Sequence, residues 1–89
     1  MKSVKFQKKA QSDLAGIKRF YADISPQTLE NVIADVTATL RIIREHPESG
    51  FIYKPNRRMM ATTKYKYNIT YSIKQDFIEI RGIYRYQNR

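Results

Sequence analysis

The sequence predicts an α+β domain ordered β-α-α-β-β-β, with an N-terminal helical hairpin packed on one face of a mostly antiparallel four-stranded sheet. Three observations predict it. Apolar residues recur at steps of three and four between Ala10 and Ile43, the period of amphipathic helices. From Lys64 to Lys74 the period becomes two: Tyr65, Tyr67, Ile69, Tyr71 and Ile73 alternate with Lys64, Lys66, Asn68, Thr70, Ser72 and Lys74. A strand turns successive side chains to opposite faces, so this segment has one apolar face and one wet, cationic face. That pattern belongs to an antiparallel sheet covered on one side. Finally, breakers fall between the periodic segments, at Ser25-Pro26, His46-Pro47, Gly50 and Pro55.

Met1–Phe6 alternates weakly and reads as a first strand, paired at an edge of the sheet. Ala10, Leu14, Ile17, Tyr21 and Ile24 form the stripe of a first helix. Ser25 suits the cap of a second helix and Pro26 its first turn, where a missing N–H costs nothing. Glu30 lies early in that helix, near its positive end. Its stripe is Leu29, Ile33, Val36, Leu40 and Ile43, widened by Val32 and Ile42, and it stops before Pro47. Pro47 to Asn56 reads as a loop, and Arg57–Thr63 as a strand with poor alternation. Lys74-Gln75-Asp76 turns the chain into a last strand, Phe77–Tyr86, with Ile78 and Ile80 toward the core. Gly82 interrupts that strand. Either it marks a bulge that returns Ile83 to the core and sends Tyr84 and Tyr86 to the open face, or the strand frays at Tyr84.

Eighty-nine residues predict one domain. The chain has no cysteine, so disulfides and thiolate metal sites are excluded. It starts without the apolar run of a signal peptide and has no stretch long enough to span a bilayer, which predicts a soluble cytoplasmic protein without a membrane partner. Net charge is +9 and uneven. Residues 1–48 carry eight Lys and Arg against six Asp and Glu, and residues 49–89 carry nine against two. A basic, strand-rich half favours a polyanion or an acidic protein as partner. The plain alternative is a solvated basic surface.

Common catalytic sites are missing from the sequence. One histidine, no cysteine and no close pair of acids placed to bind a metal predict no metal, three isolated glycines predict no phosphate loop, and no cofactor is expected. His46 falls at a helix C-terminus, where a cationic ring is favoured without any catalytic task. What remains is a set of cations and tyrosines: Arg57, Arg58, Lys64, Lys66, Arg81, Tyr84, Arg85, Tyr86 and Arg89. Cations hold phosphates and stabilise charge building on phosphorus. Aromatic rings stack on splayed bases. A tyrosine or lysine moves a proton when neighbouring cations lower its pKa. Metal-free RNA cleavage through the substrate's own 2′-hydroxyl needs no more. Each of these residues also has a structural alternative, solvating the sheet.

Three groups of residues resemble the RelE/ParE superfamily of bacterial toxins, and the resemblance covers nearly the whole chain. Ala10-Gln11-Ser12-Asp13-Leu14-Ala15-Gly16-Ile17 is similar to the family's Ala-x-x-Asp-Leu-x-x-Ile. Glu45-His46-Pro47-Glu48-Ser49-Gly50 is similar to its Pro-x-x-Gly loop after the hairpin. Arg58-Met59-Met60, Tyr67-Asn68-Ile69-Thr70-Tyr71 and Ile78-Glu79-Ile80-Arg81-Gly82-Ile83-Tyr84 follow in the family's order.

The resemblance implies the toxin of a type II toxin–antitoxin module of the plasmid-stabilisation type. It implies a cognate antitoxin whose extended segment wraps the toxin, and contact with operator DNA through that antitoxin. Two targets follow from it. ParE-like members block DNA gyrase, whereas RelE-like members cut mRNA on the ribosome. In the nuclease, Arg81 and Lys66 would bind phosphate and Tyr84 would transfer a proton. Arg57, Arg58, Lys64, Arg85, Tyr86 and Arg89 would contact target or phosphate in either case. The sequence departs from the RelE-like pattern at Asn68, where those members often carry arginine, and at Tyr84, where many carry histidine. It also ends at Arg89, short of the tail that often bears a catalytic tyrosine. These departures and the long hairpin lean toward ParE. A non-toxic basic domain that binds nucleic acid is the third reading.

Overall fold

A computed structural model describes residues 2–85. The elements are β1 (Ser3–Phe6), α1 (Lys8–Ala22), α2 (Pro26–Glu45), a 3-10 turn (Pro47–Ser49), β2 (Phe51–Lys54), β3 (Arg57–Ala61), β4 (Tyr67–Ile73) and β5 (Phe77–Arg85). The helical hairpin forms as its signals predict. The Ser25 hydroxyl accepts the Thr28 N–H at 3.2 Å and Pro26 opens α2. The Ile24 and Ser25 N–H groups both return to the Tyr21 carbonyl, which closes α1 before the break.

The sheet has five strands in the order β1-β5-β4-β3-β2, one more than the sequence predicts. The extra strand, β2, lies inside the segment expected to be a loop. Phe51-Ile52-Tyr53-Lys54 has no alternation to betray it, because all four residues are exposed. Pro55 and Asn56 turn the chain back into β3, and Asn56 adopts the left-handed conformation (φ 61°) such a turn requires. β1 pairs with β5 in parallel at one edge, and the other pairings are antiparallel.

The register puts Val4, Phe6, Ile69, Tyr71, Ile78, Ile80 and Ile83 on one face. That face packs against Ala10, Ile17 and Tyr21 of α1 and Val32, Val36 and Ile43 of α2. Burying each large apolar side chain is worth about 1.5–3 kcal/mol. A one-residue slip of β4 would turn Ile69 and Tyr71 to the other face, so the core sets the register. Ile24 and Ile42, expected on the apolar stripes, are exposed instead, since α1 ends at Ala22 and the buried stripe of α2 runs through Val32, Asp35, Val36, Thr39 and Ile43.

β4 begins at Tyr67, three residues later than the alternation from Lys64 predicts. Two features bend the chain before it. Lys66 has φ 60°, which no strand accommodates. The buried Asp35 carboxylate of α2 accepts the N–H groups of Tyr65 (2.7 Å) and Lys64 (3.1 Å), so residues 62–66 form a turn fastened to the helix. The open face is also drier than predicted, because Asn68, Thr70 and Ser72 at its centre are buried.

Gly82 does mark a bulge. The β4–β5 register shifts there: Thr70 faces Gly82, and Tyr71 faces Ile80. The extra residue, Arg81, therefore stays on the open face with Glu79, while Ile83 returns to the core and Tyr84 to the open face opposite Asn68. Gly50 is a second constrained position. Its N–H donates to the Tyr71 hydroxyl at 3.1 Å, and a Cβ would collide with that oxygen and crowd the Met59 carbonyl.

Candidate functional site

The open face holds a cleft of about 250 Å³ lined by Gln7, Lys9, Tyr53, Arg57, Thr70, Arg81, Gly82 and Tyr84. Its residues come from four places in the chain. Gln7 and Lys9 arrive from the junction of β1 and α1, and Tyr53 and Arg57 from the two arms of the β2–β3 hairpin. Thr70 forms the floor on β4. The bulge in β5 supplies Arg81, Gly82 and Tyr84.

The local contacts set each cation differently. The Arg81 guanidinium donates to the Glu79 carboxylate at 2.8 Å, and Lys74 approaches the same oxygen at 3.9 Å. Lys9 donates to Asp13 at 2.9 Å, and its ammonium lies 6.0 Å from the centre of the Tyr84 ring. Arg57 forms no ion pair among the described residues. Burial, with the nearby Tyr53 hydroxyl adding to it, pushes the Tyr84 phenol above its ordinary pKa against the pull of Lys9.

The structure divides the candidates. Arg57, Arg81 and Tyr84 meet in the cleft. Lys64 and Lys66 do not line it. They sit in the β3–β4 turn that Asp35 fastens to α2, so the expected row of Lys64, Lys66 and Arg81 does not form. Arg58 faces the helix side opposite Tyr71 and donates to the Glu48 and Gly50 carbonyls, both at 2.9 Å, which makes it a brace for the segment before β2. Arg85 also falls on the helix side, opposite Tyr67, with its guanidinium 5.6 Å from the Tyr67 ring and donating to the Tyr21 hydroxyl at 3.4 Å. Tyr86 and Arg89 lie outside the described residues.

Sequence reasoning missed Gln7, Lys9 and Tyr53. The basic run Lys8-Lys9 beside the strand-to-helix junction was a signal for the first two. Tyr53 had none, because β2 itself was not visible. Among the described residues, no group of three or more His, Cys, Asp or Glu is placed to hold a metal ion. No helix of the described residues is long and apolar enough to cross a membrane.

The cleft can therefore bind an anion or an acidic surface through cations and hydroxyls set on a rigid sheet. The fold around it has relatives. A structure of the chromosomal ParDE toxin–antitoxin system from P. aeruginosa superposes with a TM-score of 0.82 at 22% identity, covering 98% of each chain. The intact E. coli RelBE toxin–antitoxin complex matches with a TM-score of 0.67 at 11% identity, covering 99% of this chain and 100% of that one. At these identities the likeness is one of fold. No curated protein matches the sequence. The model of the ParE toxin of the type II toxin–antitoxin system parDE matches residues 4–87, nearly the full length. The chain belongs to the ParE toxin family of type II toxin–antitoxin systems.

Proposed function

We propose that this toxin inhibits growth in the cytoplasm by binding DNA gyrase, and that a cognate antitoxin neutralises it. The observation that carries the reading is the separation of Lys66 from Arg81 and Tyr84. A metal-free nuclease needs its phosphate-binding cations and its proton-transfer group in one place. Here Lys66 lies in the clamped β3–β4 turn, outside the cleft. Tyr84 holds its proton more tightly than a free tyrosine, the wrong direction for a general base at neutral pH. A cationic cleft that lacks Lys66 and whose Tyr84 keeps its proton suits a binding toxin. The test is supercoiling by purified gyrase. The toxin blocks it, and full supercoiling at saturating toxin would remove the target.

The antitoxin reading draws on the relatives, both solved as toxin–antitoxin systems. It also draws on grooves along the helical hairpin. Phe6 and Leu14 lie there with Lys18, and Val4 and Leu40 with Arg41 and Arg44. Half-buried apolar side chains rimmed by cations fit a segment with apolar and acidic residues, which would join the pair to operator DNA through the antitoxin. Adding the antitoxin restores supercoiling in the same assay.

One observation favours a second reading, a ribosome-dependent endonuclease: Arg81, Tyr84 and Arg57 do share one cleft. It predicts fresh mRNA ends after induction that vanish in Arg81→Ala. Transcripts that stay intact at nucleotide resolution exclude it.

A further inference from the structure

The two edges of the sheet are built differently. β1 turns Val4 and Phe6 inward and leaves Ser3 and Lys5 exposed, a charged edge of the kind that discourages pairing. β2 pairs on one side only, with β3, and exposes three large apolar side chains in succession. Phe51 is 62% exposed, Ile52 61% and Tyr53 37%. Phe51 lies opposite Met59 on the open face and Ile52 opposite Arg58 on the helix face, so the edge is apolar on both sides of the sheet.

This edge is also held ready. Tyr71 donates its hydroxyl hydrogen to the Pro47 carbonyl at 2.6 Å and accepts the Gly50 N–H. Arg58 braces the Glu48 and Gly50 carbonyls. Four hydrogen bonds thus fix residues 47–50, the lead into β2, before any partner arrives. Preorganisation of this kind lowers the ordering cost of adding a strand. Charge selects the occupant. Lys54 ends β2 and Arg57, without an ion pair among the described residues, opens β3. A second copy of the chain would bring another +9 to the same edge.

We infer that β2 is a strand-addition site for an extended segment of the toxin's protein target, one that alternates apolar with acidic residues. The inference rests on the gyrase reading and names the surface that gyrase meets. Tyr53 belongs both to this edge and to the cleft, so the added strand runs beside Lys54 of β2, with Arg57 paired to Lys54 one strand further in.

The test compares Ile52→Glu and Ile52→Lys with the unaltered toxin, using gyrase holoenzyme as the probe. Ile52 is exposed, so both variants keep the unaltered protein's melting temperature. Strand addition by an acidic segment predicts that Ile52→Glu inhibits supercoiling at least about tenfold less well than Ile52→Lys. It also predicts that the amides of residues 51–54 gain hydrogen-exchange protection when gyrase is bound. Equal inhibition by the two variants, or unchanged exchange at β2, overturns the edge assignment and leaves the target standing. A toxin that neither binds nor inhibits gyrase overturns the target and this inference with it. A dimer of the unaltered toxin that Ile52→Glu dissolves gives the edge to a second copy, and overturns the inference as well.

Discussion

Asp13 accepts the backbone N–H of Ile83 at 3.0 Å, across most of the length of the chain. The bulge at Gly82 frees that N–H from the ladder, and a carboxylate on α1 takes it. The same oxygen holds Lys9. One acid thus fastens the helix to the cleft wall and aims a cation at the cleft. Asp13→Ala leaves a buried N–H unpaired and should cost about 1–3 kcal/mol, read by urea unfolding. Loss of less than about half a kcal/mol would mean that the bulge holds itself.

Asp35 does equivalent work for the β3–β4 turn. Burial raises its pKa, but the Tyr65 N–H, the Thr62 hydroxyl and the Lys64 N–H together more than offset that, so it titrates below its ordinary value. A carboxylate depressed in the folded state stabilises fully above the unfolded pKa, about 3.9, and stops doing so as pH falls through its folded value. Stability of the unaltered protein should therefore decline below about pH 4, and that acid limb should flatten in Asp35→Asn. Parallel acid limbs in the two proteins would rule out this residue as the cause.

Lys66 separates the two target readings through the backbone. At φ 60° a non-glycine residue carries strain of roughly 1 kcal/mol that glycine does not. Lys66→Gly should be as stable as the unaltered protein or more so, and should still arrest growth. An inactive but well-folded Lys66→Gly would return this lysine to the mechanism.

The alkaline limb belongs to tyrosine. Burial, the Tyr21 hydrogen bond and the Tyr21 charge push Tyr67 up to about 12, against Arg85. Burial raises Tyr71 too, despite the Gly50 N–H and Arg58. A group with a raised folded pKa contributes its stability in full below the unfolded value, near 10, and loses it as pH rises through the folded one. Stability should fall between about pH 10 and 12, and Tyr67→Phe should weaken that fall. Absorbance of tyrosinate during alkaline titration locates the transition.

Much of this fold could be read directly. Ser25 and Pro26 announced the helix break, Ile78 and Ile80 the core face, and Gly82 offered the bulge as one of two readings. What escaped is what a local pattern cannot carry. β2 is an exposed edge, so nothing buried imposes a period on Phe51–Lys54. The alternation of Lys64 to Lys74 ran past the true strand start because Asp35, far away in sequence, captures the turn. The same contact scattered the candidate site. Arg57, Arg81 and Tyr84 converge, whereas Lys64 and Lys66 are drawn toward α2, and Arg58 and Arg85 serve the helix side. Charge composition marks which residues are cationic, and only register tells which of them share a face.

The parallel pairing of β1 with β5 joins the first strand of the chain to the last, with Ser3 beside Phe77 and Phe6 beside Ile80. During translation, Val4 and Phe6 have no sheet to enter until nearly everything else has left the exit tunnel. Synthesis order thereby leaves one side of the sheet unclosed until Phe77–Ile80 has been made.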